Sequence, residues 1–331
     1  MTVYPVHRHR ISVDVSSVAP DGVQHLVAEV VLPAVPKPHE STIALVCLPG
    51  GGMSRRYFDL QAEGAGDDYS MAAHLARAGV VVVLLDHPGV GESDVPHDAY
   101  TLAPATVAAV DAAAVATILD RLSKGTLVDG VAAFTQLVPV GCGHSMGGLI
   151  TVWMQAQHRP YRAIATLGFA GFGLHSHLTD EERTYADDPE GVARDLASLV
   201  ARRFGAPRSG GGGGGSTGTS PFLLAVEVPD HAKAAIGASG AALLNLCGLT
   251  SMIPGARRPA LEAVDVPLFL GVGEHDITGD AHQIPTQFPA SRDITLFVCP
   301  GSGHNHNVAP TRTELWDRLL VWLRQIAGSA A

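Results

Sequence analysis

The sequence predicts an α/β fold: a mostly parallel central sheet flanked by helices, with a mainly helical insertion. Three observations carry that expectation. Short, continuously apolar runs recur along the chain and alternate with stretches of helical composition, which is the signature of central parallel strands joined by helical crossovers. The alternation stops after residue 170 and resumes near residue 264, so an insertion separates two parts of one core. The 331 residues are 46% hydrophobic and 16% charged, too apolar for a disordered chain and enough to bury a substantial core.

The first two extended segments, Arg10 to Val18 and His25 to Pro33, flank the turn signal Pro20-Asp21-Gly22 and predict an antiparallel pair. Beyond the proline-rich stretch from Pro33 to Pro38, Ile43 to Leu48 and Val80 to Leu85 are apolar on both faces and predict buried strands. Between them Ser70 to Ala78 predicts a helix closed by Gly79. Thr106 to Leu122 predicts a longer helix, Leu137 to Cys142 a strand, Gly147 to His158 a helix and Ala163 to Phe169 a strand. In the insertion, helices are expected at Thr179 to Tyr185, Pro189 to Phe204 and Asp230 to Leu246, interrupted by the glycine run Gly210 to Gly215. Strands Val266 to Val272 and Ile294 to Cys299 follow, then a helix from Thr311 to Ile326 with an apolar stripe of Leu315, Trp316, Leu319, Leu320, Leu323 and Ile326. The expected domains are a core of residues 1–170 and 264–331 and a cap of residues 171–263. The cap would hold a flexible glycine-rich loop at 209–219 and sit over the strand ends where open α/β sheets bind ligands.

Charge and cysteine usage narrow the function classes. A formal net charge of -10, from 32 acidic and 22 basic residues, argues against a nucleic-acid or anionic membrane surface. No apolar run reaches the roughly 18 residues of a membrane span, and Met1 to Arg10 lacks a following apolar region, so a cytoplasmic protein with a small-molecule partner is expected. Cys47, Cys142, Cys247 and Cys299 are scattered without a C-x-x-C, which predicts buried free thiols and neither a zinc knuckle nor a dithiol centre. The pairs His7-x-His9, His175-x-His177 and His304-x-His306 come with no carboxylate-bearing metal motif, so no metal and no cofactor is expected.

The chemistry centres on Gly143-His144-Ser145-Met146-Gly147, a G-x-S-x-G between an expected strand and an expected helix. A serine on so sharp a turn needs small residues on either side. Gly214-Gly215-Ser216-Thr217-Gly218 matches the same pattern but lies in the glycine run, without strand or helix beside it. Ser145 is therefore the candidate nucleophile. A serine hydroxyl needs a base and a group orienting that base. Gly273-Glu274-His275-Asp276 places a carboxylate after a strand, with Glu274 and Asp280 as rivals to Asp276. Pro300-Gly301-Ser302-Gly303-His304 presents an imidazole after the next, with His306 as rival to His304.

The order Ser, Asp, His on post-strand loops resembles that of the α/β-hydrolase fold. Asp86-His87-Pro88-Gly89-Val90-Gly91-Glu92-Ser93 also resembles that family's D-x-x-G-x-G-x-S turn, and the similarity spans about residues 25–170 and 264–328. The resemblance implies a catalytic triad of Ser145, Asp276 and His304. It also implies an oxyanion hole of two backbone N–H groups: Met146, which follows the nucleophile, and Gly51 in the loop Leu48-Pro49-Gly50-Gly51-Gly52-Met53. The family has His-Gly where this chain has Pro49-Gly50, which leaves Gly52 as an alternative donor.

Serine at the elbow sets the chain apart from the aspartate-dependent dehalogenases and epoxide hydrolases of the family. The expected activity is that of a carboxylic ester hydrolase working through an acyl-enzyme on Ser145. Phe169, Phe172, Leu174, Leu249, Met252 and Ile253 suggest apolar walls and a small hydrophobic or aromatic ester. Alternatives on the same residues are carbon–carbon cleavage of the meta-cleavage-product type and lactone hydrolysis; a ligand-binding protein with little turnover is the alternative of another class. His144 is expected to pack behind the nucleophile, Asp86 to shape a turn, and Arg55, Arg56 and Tyr57 to lie on exposed surface.

Overall fold

In a computed structural model, residues 5–33, 41–205, 220–224 and 226–329 are described. The glycine-rich loop expected at 209–219 and its second G-x-S-x-G lie outside them. Eight strands form one sheet: β1 (His7–Asp14), β2 (His25–Leu32), β3 (Thr42–Leu48), β4 (Val81–Leu85), β5 (Leu137–His144), β6 (Ala163–Leu167), β7 (Leu268–Gly273) and β8 (Ile294–Cys299). Their spatial order is β1-β2-β4-β3-β5-β6-β7-β8. The pairings of β1 with β2 and β2 with β4 are antiparallel; all others are parallel.

The helices of the alternating part are α1 (Met71–Arg77), α2 (Pro104–Lys124) and α3 (Met146–His158). Ser70 caps α1 by accepting from the Ala73 N–H, and Gly125 closes α2 in the left-handed region, as a glycine beyond a helix end does readily. Along β3 and β4 successive side chains go to opposite layers. Val46, Leu48, Val81, Val83 and Leu85 pack with α2 and α3, whereas Leu45, Cys47, Val82 and Leu84 pack with α1 and the C-terminal helix. Burial on both faces is why these strands read as unbroken apolar runs, each fully buried Val or Leu contributing about 1.5–3 kcal/mol.

Between β6 and β7 lie α4 (Asp180–Arg183), α5 (Pro189–Phe204), α6 (Pro221–Leu224), α7 (Asp230–Ala238), α8 (Asn245–Met252) and α9 (Arg258–Glu262). The single helix expected from Asp230 to Leu246 is two. The chain leaves helical geometry at Ser239–Gly240 because the loop after β3 offers its backbone other partners: the Ser54 N–H donates to the Ser239 carbonyl at 2.8 Å and the Ala241 N–H to the Gly52 carbonyl at 2.9 Å. Leu178, Val192, Leu196, Leu199, Leu246, Leu249 and Ile253 form a cluster of their own. Leu249 and Ile253 are thus packing residues of this segment, while Phe172, Leu174 and Met252 stay partly exposed.

The last helix, α10 (Arg312–Gly328), buries the whole expected stripe and adds Trp322. In register, Leu48 pairs with Gly143, His144 with Leu167 and Gly273 with Cys299. The loops after β3, β5, β6, β7 and β8 therefore leave one edge of the sheet together, the edge at which open α/β sheets bind ligands.

Candidate active site

Ser145 occupies the turn between β5 and α3 with φ 52° and ψ -118°, a positive-φ conformation that a non-glycine residue adopts only where its surroundings impose it. Those surroundings are identifiable. A Cβ on Gly143 would sit 2.2 Å from the Gly147 carbonyl oxygen, and one on Gly147 would sit 2.1 Å from that of Leu48. Both glycines of the pattern are thus required by backbone packed on backbone. The Ser145 N–H donates to the Leu167 carbonyl at 2.8 Å, tying the turn to the end of β6, and the residue is partly exposed between buried neighbours.

The acid and the imidazole come from the loops after β7 and β8, which are packed into each other. The Glu274 N–H donates to the Cys299 carbonyl and the His275 N–H to the Ser302 carbonyl, both at 2.9 Å. A Cβ on Gly273 would approach the Ser302 and Gly303 carbonyl oxygens to 2.4 Å. His304 Nδ1 lies 2.7 Å from Asp276 Oδ1, and the Asp276 side chain is 1% exposed. Burial alone would raise the Asp276 pKa, but the His304 and His306 rings hold it well below the usual carboxylate range. The rivals are otherwise engaged: exposed Glu274 accepts from the Gly301 N–H, and exposed Asp280 accepts from the His282 N–H at the start of a helical turn.

His304 and Ser145 both border the end of β6. The carbonyl of Leu167 holds the serine, and the next residue, Gly168 at φ 59°, lies against the His304 ring, where a Cβ would be 3.0 Å from Nδ1. With Nδ1 on the carboxylate, Nε2 is the other ring nitrogen of His304. His306 uses its Nε2 on Asp276 Oδ2 at 3.0 Å and leaves Nδ1 buried without a partner among the described residues. That difference in ring orientation separates the two histidines.

The loop after β3 closes the site from the other side. A Cβ on Gly50 would stand 3.2 Å from the Ser145 Cβ, and one on Gly51 3.8 Å from the Met146 Cβ. Met146 is the first residue of α3, where backbone N–H groups have no partner carbonyl within the helix. Gly51 thus lies beside Met146, whereas Gly52 has φ 77° and its carbonyl accepts from the Ala241 N–H. Leu243 covers Gly51, with its Cδ1 2.8 Å from where a Cβ would be.

Several neighbours escape sequence reasoning. Arg55 and Tyr57, expected at the surface, are 3% and 1% exposed; Arg56 is exposed. The reason is Asp86, fully buried, which accepts from both the backbone N–H and the guanidinium of Arg55. Asp86 therefore does more than shape its turn. Tyr57 stacks on His144 with ring centroids 4.4 Å apart, and His144 Nε2 donates to the His304 carbonyl at 2.9 Å. Burial, with the nearby His304 and His306, pulls the His144 pKa well below the usual imidazole value. Behind the loop after β3, buried His87 contacts Asp111 through Nδ1 at 2.5 Å and the Pro49 carbonyl through Nε2 at 3.2 Å. None of these pairs has a local sequence signal, since their partners lie 24 to 160 residues apart. Among the described residues no group of three or more His, Cys, Asp or Glu side chains could hold a metal ion. All four cysteines are buried and free.

A mostly parallel sheet whose strand-to-helix turn carries a strained serine, with a buried Asp–His pair on the loops after its last two strands, β7 and β8, defines the class of α/β hydrolases. The chain belongs to the alpha/beta hydrolase family, which it matches over residues 45–314. No curated protein sequence matches it. Its fold is similar to that of a thermophilic esterase from Thermogutta terrifontis, at 14% identity and TM-score 0.57 over 96% of this chain and 99% of that one. It is similar as well to a bromoperoxidase from Bacillus anthracis, at 16% identity and TM-score 0.59 over 96% and 100%. The proline iminopeptidase of Mycobacterium smegmatis compares at 19% identity and TM-score 0.58 over 98% and 100%. Likenesses at these identities establish the fold, and their differing names leave the reaction to be argued from the site.

Proposed function

We propose that this chain is a serine hydrolase, a carboxylic ester hydrolase acting in the cytoplasm on a small hydrophobic ester, with Ser145, His304 and Asp276 as its catalytic triad. The observation that carries the reading is the 2.7 Å contact between His304 Nδ1 and Asp276, in loops at the same sheet edge as a serine held at φ 52°. In this mechanism His304 Nε2 takes the Ser145 hydroxyl proton as the oxygen attacks the ester carbonyl carbon, and Asp276 stabilises the imidazolium that forms. The N–H groups of Gly51 and Met146 receive the oxyanion. Collapse of the tetrahedral intermediate passes the proton from His304 to the departing alkoxide. Water, deprotonated by His304, then attacks the acyl carbon, and as the acid leaves the imidazolium returns its proton to Ser145 Oγ. Residues 171–263 act as the cap, with Leu243 over the oxyanion loop and partly exposed Phe172 and Met252 as apolar wall.

The carbon–carbon alternative calls for an arginine facing a substrate carboxylate. Arg257, buried in this region, is already spent on the carbonyls of Thr250, Ile253 and Ala170, so ester hydrolysis is preferred. The test is labelling with a fluorophosphonate probe and turnover of p-nitrophenyl esters of increasing acyl length, in wild type and Ser145→Ala. Loss of labelling and a fall in kcat of about a thousandfold or more in the variant are expected. Equal labelling of the variant, or none of the folded wild type, overturns the reading.

A further inference from the structure

Asp276 is held by two imidazoles where the triad needs one. Its Oδ1 faces His304 Nδ1 at 2.7 Å; its Oδ2 faces His306 Nε2 at 3.0 Å and the Gly273 N–H at 3.2 Å. A carboxylate only accepts, so both histidines donate to it. We propose that His306 is a positioning residue of the catalytic site, fixing the rotation of the Asp276 carboxylate and weakening its hold on the proton it shares with His304. The proposal rests on the serine-hydrolase reading and adds to it a residue whose side chain acts through Asp276.

The surroundings of His306 favour this role over a packing one. Its side chain is 1% exposed, and its Nδ1 is buried without a partner among the described residues. A buried polar nitrogen left unpaired costs about 1–3 kcal/mol, so an apolar side chain of similar shape would serve the fold better. Among the described residues, the one side-chain hydrogen bond that His306 gives in exchange goes to the acid of the triad. It is also locked to the base: the His306 N–H and His144 Nε2 both donate to the His304 carbonyl, at 3.1 and 2.9 Å. The titratable groups packed around the His306 ring are His304 on its own loop, His144 at the end of β5 with ring centroids 5.6 Å apart, and Asp276 from the loop after β7. Tyr57, from the turn after β3, stacks on His144 and lies behind it. Burial holds His144 in the uncharged form, so Asp276 is the anion on which His304 and His306 converge.

When His304 takes the Ser145 proton, the new positive charge must stay on the imidazole for later delivery to the leaving group. A carboxylate free of His306 keeps at Oδ2 the 3.2 Å bond from the Gly273 N–H, so it is less firmly fixed about its Cβ–Cγ bond and binds the Nδ1 proton more tightly. The comparison is between His306→Asn, whose amide is too short to reach Asp276, and His306→Gln, whose amide nitrogen reaches the position of Nε2. Rates are divided by the number of sites titrated with the fluorophosphonate, and thermal melts check folding; His306→Leu supplies the same contrast should the Asn variant not fold.

In His306→Asn we expect kcat to fall about 10- to 100-fold with little change in KM. The acid limb of kcat/KM should move up by about one pH unit, the worth of one hydrogen bond to a charged group. His306→Gln should restore both to within about threefold of wild type. A lower melting temperature with an unmoved acid limb, or a Gln variant no better than Asn, would make His306 a packing residue and overturn the proposal. If folded wild type is not labelled at Ser145, the serine-hydrolase reading fails and this inference with it. If wild type is labelled and His306→Asn keeps its rate and acid limb, the inference alone fails.

Discussion

At Asp276 two physical terms oppose each other. Burial disfavours the carboxylate, while two ring N–H donors and one backbone N–H favour it, and the donors win. Asp276→Asn keeps the shape but supplies an amide that, where it faces a ring nitrogen with its NH2, selects the wrong imidazole tautomer. The expected loss in kcat is about 10,000-fold, measured by steady-state ester hydrolysis on protein shown to be folded by circular dichroism. The linked stability effect has a definite sign. A carboxylate whose folded-state pKa is depressed contributes stability above its unfolded value of about 3.9, and that contribution is lost as pH falls through the folded value. The gap in urea midpoint between wild type and Asp276→Asn should thus be full at neutral pH and shrink below about pH 4. A gap that widens in acid would contradict the direction of the shift.

The same logic of crowding acts between elements. The elbow joins β5 to α3 so closely to the end of β3 that Gly147 has the Leu48 and Pro49 carbonyl oxygens where its side chain would be, at 2.1 and 2.6 Å. Backbone cannot move aside as a flexible side chain can. Gly147→Ala should therefore displace the loop carrying Gly51 from Met146, lowering kcat by about a hundredfold or more, as misplacement of about 1 Å does, together with a lower melting temperature. Gly214→Ala, in the other match to the pattern, should leave the rate of p-nitrophenyl ester hydrolysis unchanged; a reversed outcome would assign the elbow wrongly. Element by element, the strands of the alternating part were legible to within three residues at either end, because apolar runs buried on both faces leave a local trace that needs no partner. The helix expected from Asp230 to Leu246 was not, because the bonds that end it at Ser239–Gly240 come from Gly52 and Ser54, some 185 residues away.

Across the whole molecule, the contacts that fasten the segment between β6 and β7 to the sheet edge include Ser239 and Ala241 on the loop after β3, Leu243 over Gly51, the Asn305 N–H on the Leu223 carbonyl, and Arg257 on the Ala170 carbonyl at 3.0 Å. Arg257 also donates to the Thr250 and Ile253 carbonyls at the C-terminal end of α8, where the helix dipole favours a cation, and it lies 5.5 Å from the Phe169 ring centroid. No carboxylate pairs with it among the described residues, and burial draws its pKa below the usual guanidinium range. Arg257→Met should leave those carbonyls unpaired and cost about 2–4 kcal/mol in urea unfolding. Faster hydrogen exchange over residues 230–262 than in β3 to β6 is the accompanying sign; uniform exchange would show that Arg257 is no fastening. The sequence by itself determined the alternation of strands and helices, the serine between strand and helix, and the order in which acid and imidazole follow. Each is written in contiguous residues whose size and polarity act locally. Only the tertiary structure decided that Arg55 is buried against Asp86, that His144 braces the loop of His304, and that Asp276 is shared by two histidines. Those pairings join residues 30 to 160 positions apart, and a buried charge or imidazole looks no different in sequence from a solvated one until the fold brings its partner to it.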